Sequence, residues 1–337
     1  MPDPTALPDP AVLGASPEAG LGGYLCDGKG GCRPITFEEA TQPVKSPEWQ
    51  WIHLNYSDQS HQKWLREESG LDVLTCDALV AVETRPRLLR TDGSVLIILR
   101  GINLNPGADP DDMVSLRIWV DKNRVITLRS RRLFSIQEIR KQLLDGKGPR
   151  SPGALLSAIA SSLLGLQAIV VNNLEEEVDD IESSMVANAG YSLRSRISEF
   201  RRQAIALRRY IAPQREVLTR FFYEEIEWLA DRQRARMREA GEQQTRLVEE
   251  LDAARERASV VHEELNGRLS EQMNRNMYVL AVVTGVFLPL GLLTGLLGIN
   301  VGGMPGVENP YAFWIVCAAL GVVAAIMIVV FRRTRLL

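Results

Sequence analysis

The pattern of apolar and polar positions changes twice along the chain. Up to about residue 150, short apolar runs alternate with polar residues and turn signals. From Pro152 the apolar positions recur at helical spacing, and from Met277 charge all but disappears. In the first region Gly23-Tyr24-Leu25 and Trp49 to Leu54 read as strands. Asp58 is placed as the N-cap of a short helix holding His61 and Trp64. Leu88 to Arg90 and Val95 to Leu99 flank Thr91-Asp92-Gly93-Ser94, a hairpin signal; Val114 to Val120 and Val125 to Leu128 flank a second, Asp121-Lys122-Asn123. Ser135 is expected to cap a helix that runs to Leu144 and stops at Gly146 and Gly148. The alternation predicts a mixed sheet with helices and one covered face, an α+β domain.

The second region predicts one helix from Pro152 to about Asn188, ended near Gly190, and a second from Ser192 to about Gly241 with Pro213 in its path. A third starts near Glu242, meets no breaker before Gly267, and continues into the uncharged stretch. Such a helix, 242–299, would be roughly 85 Å long at about 1.5 Å per residue, a stalk. Met277 to Ile299 gives about 23 uncharged residues and Tyr311 to Phe331 about 21, each enough for one membrane span. The expected organisation is an N-terminal tail (1–20), an α/β domain (21–150), a helical hairpin (151–241), a stalk helix (242–276), a first span (277–300), a loop (301–310), a second span (311–331) and a basic tail (332–337). A loop of about ten residues is too short for a domain, so the region before the spans is expected to serve, anchor or gate them.

Composition sharpens this picture. The chain has 337 residues, 45% hydrophobic and 24% charged, and its apolar excess lies in the last sixty or so residues. A net charge of -3 argues against nucleic acid as the main partner. Cys26, Cys32, Cys76 and Cys317 are too few and scattered for a disulfide framework, which suggests a reducing compartment for the soluble part. The first twenty residues lack the basic start and apolar core of a secretory signal, and their Pro- and Ala-rich composition predicts disorder. Arg268 and Arg275 precede the first span and Arg332, Arg333 and Arg335 follow the second, while the loop carries only Glu308. By the positive-inside rule both termini face the cytoplasm of an inner-membrane protein and the loop faces out.

Two spans cannot enclose a pore, so a conduit requires several copies. Read at helical spacing, one face of the first span presents Asn274, Met277, Leu280, Thr284, Leu288, Gly291 and Gly295. Gly291-x-x-x-Gly295 is equally a helix-packing motif, so this face reads as either contact or lining. Pro289 frees the carbonyl of Gly285, either as a hinge or as a tolerated membrane proline. Neither span holds Asp, Glu, Lys, Arg or His, which excludes an intramembrane carboxylate relay and a dehydrated zinc site on this face. A ring of Asn300 amides would instead accept hydrogen bonds from the waters of a hydrated divalent cation, sparing the cost of dehydration.

Gly298-Ile299-Asn300, at the end of the first of two terminal spans and after a long helix, resembles the signature of the CorA metal-ion transporters, Gly-Met-Asn, with Ile299 a departure at the middle position. Gly302-Gly303-Met304-Pro305-Gly306 is similar to the Gly-Gly-Ile-Pro-Gly loop of the ZntB branch, and Phe287-Leu288-Pro289-Leu290 also resembles the first span of that family. The resemblance implies a homopentameric funnel in the lipid bilayer, with five first spans around one pore and Asn300 as the selectivity ring at the outer mouth. It makes Leu288, Leu280 and Met277 the apolar constriction and Asn274 the inner end. It implies a divalent cation as cargo, Zn²⁺ first, possible proton coupling, and no resident cofactor. Glu308 would then concentrate cations at the mouth, and Arg332, Arg333 and Arg335 would ring the inner end. The alternatives are a Mg²⁺/Co²⁺ channel of the same type and a two-span sensor or scaffold, which the short loop disfavours.

Other charged and ligating residues take ordinary readings. The acids Glu175, Glu176, Glu177, Asp179, Asp180 and Glu182 are expected to pair with Arg194, Arg196, Arg201, Arg202, Arg208 and Arg209 across a hairpin turning at Gly190. Cys26-x5-Cys32 is a poor metal spacing, and His53, His61 and His262 are not spaced as a ligand set. No phosphate-binding loop, nucleophile elbow or triad is present in the sequence, so no enzyme is expected.

Overall fold

A computed structural model of the chain describes residues 7–8, 22–82, 84–91, 93–109, 111–187, 191–299, 306 and 309–333. The chain divides into two units, Met1–Val261 and His262–Leu337. The first unit is built on a seven-stranded sheet of β1 (Gly22–Cys26), β2 (Cys32–Ile35), β3 (Trp49–Asn55), β4 (Arg87–Thr91), β5 (Ser94–Gly101), β6 (Val114–Val120) and β7 (Arg124–Arg129). Their order is β2-β1-β3-β7-β6-β5-β4, with β3 and β7 parallel and every other neighbouring pair antiparallel. Both predicted hairpins form: β4 pairs β5 through Thr91 and Ser94, and β6 pairs β7 through Val120 and Val125.

The sheet is covered on both faces, where alternation had predicted one. Val95, Ile97 and Leu99 of β5 join a core with Leu133, Ile136, Ile159 and Phe221; Leu96 and Ile98 join a second core with Trp64, Leu65 and Leu79. Period-two alternation only separates two faces, and here both sets are apolar. One face takes the short helices α1 (Phe37–Ala40), α2 (Gln59–Glu67) and α3 (Val73–Val80); the other takes α4 (Phe134–Leu144), α5 (Pro152–Ala187), α6 (Tyr191–Tyr223) and the start of α7 (Asp231–Leu297). Asp58 caps α2 as expected, accepting from the amides of Ser60 and His61. Ser135 does not cap α4: Leu133 holds that position without a side-chain bond, and Ser135 is buried inside the first turn.

The second helix break also falls elsewhere than expected. α6 ends at Tyr223 and α7 begins at Asp231, so the break spans residues 224–230, not Gly241. Buried Ile226 and Leu229 pin the connecting segment, Trp228 donates its indole N–H to the carbonyl of Gly93 at 3.0 Å, and Arg234 donates to the carbonyl of Glu224 at 2.8 Å. Gly241 lies within α7, where an added Cβ would stand 3.5 Å from the Leu218 backbone. That is ordinary contact, so Gly241 is an interior helix residue with room for a methyl group and not a stop. Gly190 itself lies outside the described residues.

Among the described residues three helices are long and apolar enough to cross a membrane: Pro152–Met185, the 67-residue α7, and Ala312–Val330 within α8 (Ala312–Arg333). They differ in burial. The apolar window of the first is mostly buried in the core of its own unit, whereas the windows of α7 and α8 hold no buried residue. An apolar helix left uncovered is costly in water and finds its proper solvent in lipid.

Candidate functional site

In the second unit the uncovered surface is not uniform. From Met277 onward the half-covered positions of α7 are Tyr278, Val282, Gly285, Val286, Pro289 and Leu290, and those of α8 follow one stripe from Ala312 through Val316 and Leu320 to Met327. Asn274, Met277, Leu280, Thr284, Leu288, Gly291 and Gly295 are all exposed. At 100° per residue these seven fall within an arc of about 120°, on the side of the helix away from the half-covered stripe. They follow one another over about 32 Å of helix at 1.5 Å per residue, so a single chain brings them into a line and not a pocket.

The C-terminal end of α7 is tightly wound. The amide of Gly298 donates to the carbonyls of Thr294 at 3.0 Å and Gly295 at 3.2 Å. The hydroxyl of Thr294 donates back to the carbonyls of Leu290 at 3.0 Å and Gly291 at 3.1 Å. A Cβ at Gly298 would sit 3.2 Å from the Thr294 carbonyl oxygen, closer than ordinary contact. Ile299 follows and is exposed. Asn300, Gly302, Gly303, Met304, Pro305, Glu308 and Arg335 lie outside the described residues. Gly306 adopts φ +92°, a left-handed conformation that favours glycine. Asn309 lies in the turn before α8, its side chain accepting from the amide of Tyr311 at 2.9 Å. Arg332 and exposed Arg333 end that helix.

No cluster of three or more His, Cys, Asp or Glu that could hold a metal occurs among the described residues. Of the seven exposed positions from Asn274 to Gly295, Asn274 and Thr284 carry side-chain oxygens and none is charged, a set that suits a cation that keeps its water.

The acidic cluster of α5 finds a partner that the sequence reading missed. Arg257 of α7 donates to Glu182 at 2.6 and 2.9 Å and also pairs with Asp179, and these two carboxylates raise its pKa further. Two of the arginines expected to serve go elsewhere: Arg202 pairs with Glu199 and Asp111, and Arg208 with Asp252. Helix rotation decides which side of α5 each neighbour meets, and that rotation is set by the core, not by charge. His53 is buried within the sheet, its Nε2 accepting from Arg129 at 2.9 Å and its Nδ1 bonded to Thr127 at 2.7 Å; burial and then the Arg129 charge hold it neutral.

An apolar two-helix unit with an uncovered, uncharged face, joined in sequence to an α/β domain by one long helix, fits a membrane protein. The family described as "CorA-like Mg2+ transporter protein" matches residues 46–333. The chain is 39% identical over 316 residues to the "Divalent cation transporter CmaX" of Pseudomonas aeruginosa, covering 93% of this chain and 95% of that one. It is 35% identical over 297 residues to the "Zinc transport protein ZntB" of Pectobacterium carotovorum, covering 88% and 90%. The solved structure of full-length CmaX superposes with a TM-score of 0.82 at 38% identity, covering 94% of this chain and 97% of that one. The chain belongs to the CorA family of metal-ion transporters, a family of membrane proteins and not of enzymes.

Proposed function

We propose that five copies of this chain form a homopentameric conduit for divalent cations, Zn²⁺ foremost, in the inner membrane with both termini cytoplasmic. The observation that carries this reading is the arc of α7 from Asn274 to Gly295, whose seven positions are uncharged and exposed. Ring closure would turn that arc inward. Leu280 and Leu288 would narrow the pore, Thr284 and the glycine carbonyls would touch water, and Gly298-Ile299-Asn300 would form the selective mouth. Neutral donors bind a hydrated ion weakly enough to release it, which conduction demands. The ZntB relatives support zinc as cargo. Liposomes holding the purified protein and a zinc-sensitive dye test the reading: zinc entry above that of protein-free vesicles is expected, and its absence refutes it.

The lack of any His, Cys or carboxylate on the described lining positions favours a second reading, Mg²⁺ or Co²⁺ taken in its hydration shell. Inhibition by cobalt hexaammine, which mimics a fully hydrated ion, would favour that cargo. Insensitivity to it together with zinc flux would exclude it.

A further inference from the structure

Cys26 and Cys32 are not used by the transport reading, yet the fold sets them against each other. Their spacing is poor for a metal, but the five residues between them form a hairpin loop, and the register of β1 and β2 places Cys26 directly opposite Cys32. The amide of Asp27 donates to the carbonyl of Gly31 at 3.0 Å, so 27 and 31 form a hydrogen-bonded pair. By the alternation of an antiparallel ladder, 26 and 32 form the closer, non-hydrogen-bonded kind of pair. Facing Cβ atoms there stand about 4.5–5.5 Å apart or less, within a small adjustment of the about 3.5–4.5 Å that a disulfide spans. Both thiols are free, and one bonds to the other.

The two sulfurs occupy unlike positions. Cys26 is fully buried, whereas Cys32 is half-buried on β2, the outermost strand of the sheet. The Cys26 thiol is raised by its bond to Cys32 and by burial; the Cys32 thiol is lowered by that same bond and by the charge of Arg140. Arg140 is held in place by the Tyr24 hydroxyl, which accepts from its Nε at 2.8 Å.

We propose that Cys26 and Cys32 constitute a reversible dithiol–disulfide site whose substrates are low-molecular-weight disulfides, with Cys32 as the attacking sulfur and Cys26 as the resolving one. The Cys32 thiolate attacks one sulfur of RSSR; the S–S bond breaks, RS⁻ leaves and takes up a proton, and a mixed disulfide remains on Cys32. Cys26 then gives up its proton, its thiolate attacks the Cys32 sulfur, and the second RS⁻ leaves with that proton. Two electrons pass from the cysteines to RSSR, giving two RSH and the Cys26–Cys32 bond. The bond closes the base of a loop whose Gly30 carbonyl accepts from the amide of Gly148 at 2.8 Å, so oxidation ties the edge hairpin next to the α4–α5 connection.

The test uses the full-length protein in lipid nanodiscs with mixtures of reduced and oxidised glutathione, followed by acid quench, alkylation and unreduced trypsin digestion. Trypsin cuts after Lys29 but not between Arg33 and Pro34, so the oxidised site joins peptides 1–29 and 30–45. That cross-link is expected to rise with the oxidised fraction and to vanish with dithiothreitol. In Cys26→Ser the glutathione adduct should stay on Cys32, and Cys32 should be alkylated at least about tenfold faster than Cys76. In Cys32→Ser the adduct on the remaining Cys26 should fall at least about tenfold relative to that on Cys32 in Cys26→Ser. Recovery of both cysteines as free thiols in wild-type protein under conditions that glutathionylate Cys76 or Cys317 would overturn the site. So would faster adduct formation at Cys26 than at Cys32. The wild-type cross-link requires no variant to fold.

Discussion

Gln214 of α6 donates its amide to the side-chain oxygen of Gln244 of α7 at 3.2 Å, and both side chains are wholly buried. Around this pair the polar groups are satisfied in both directions. The Gln214 oxygen accepts from the amide of Arg100 at 2.6 Å, Gln167 of α5 donates to the Arg100 carbonyl at 2.8 Å, and Gln244 donates to the carbonyl of Ile211 at 3.2 Å. Three helices are thereby keyed to one residue of β5. A fully connected buried network specifies register, and removing one member strands the others. Gln214→Leu is expected to lose about 1–3 kcal/mol, the cost of leaving buried partners unmade. Thermal unfolding of the full-length protein in detergent reads this as a lower midpoint; an unchanged midpoint would refute the network's role.

Arg208 and Asp252 join α6 to α7 by two parallel bonds, 2.5 Å from Nε and 3.0 Å from Nη2. The guanidinium holds the Asp252 carboxyl below its usual range. A carboxyl lowered in the folded state adds stability that is complete above its unfolded value, about 3.9, and is lost as pH falls through the lower folded value. Wild-type protein should therefore lose this contribution below about pH 4, and Asp252→Asn should lack it at every pH. Both groups are partly exposed, so the effect is small and weakens with salt. Unfolding midpoints of the two proteins at neutral pH and in acid, which should converge in acid, measure it.

How much of this was legible before the structure depends on the kind of signal. The hairpins at Thr91–Ser94 and Asp121–Asn123 carry their own turn chemistry, and both were readable. Strand β2 was not: it is four residues long with Pro34 inside it, tolerated because it lies at the sheet edge. The break after Tyr223 has no Gly or Pro; buried Ile226 and Leu229 make it, and such pinning is a tertiary effect. Likewise, glycine spacing left the face of the first span open between packing and lining. The contrast between exposed Thr284 and half-covered Val282 required the fold.

The end of α7 supplies a steric prediction. With the Thr294 carbonyl oxygen 3.2 Å from a Cβ at Gly298, alanine requires a shift of a few tenths of an ångström, and valine requires more. That shift would move the start of the proposed selective mouth. Gly298→Ala is expected to lower zinc or magnesium entry into liposomes severalfold, and Gly298→Val to abolish it, while the protein still inserts and assembles. Wild-type flux in Gly298→Val would show that this end of the helix does not shape the pathway.

If Asn300 forms the selective ring, its neutral amide should matter more than its size. Asn300→Ala removes the acceptors that would face ion-bound water, and Asn300→Asp adds one negative charge per subunit, a field that retains divalent ions. The first is expected to lose discrimination between divalent and monovalent cations, the second to bind divalents more tightly and pass them more slowly. Reversal potentials in mixed-ion solutions measure both, and unaltered selectivity in the two variants would remove Asn300 from the pathway.

The proposed lining face can be tested without knowing the cargo. In a variant with the four native cysteines replaced by serine or alanine, single cysteines at Leu280, Thr284 and Leu288 would report one face of α7, and those at Val282 and Val286 the other. If copies close around water, a membrane-impermeant methanethiosulfonate should modify the first three at least about tenfold faster, because a thiol facing water reaches its reactive thiolate form and one in hydrocarbon does not. Hydrated divalent cations in the pathway should slow that reaction at Thr284 and leave Val282 unchanged. The opposite ranking would turn the uncovered arc toward lipid, and the glycines at 291 and 295 would then be packing contacts only. Equal slow reaction at all five would mean that no aqueous path runs along this helix.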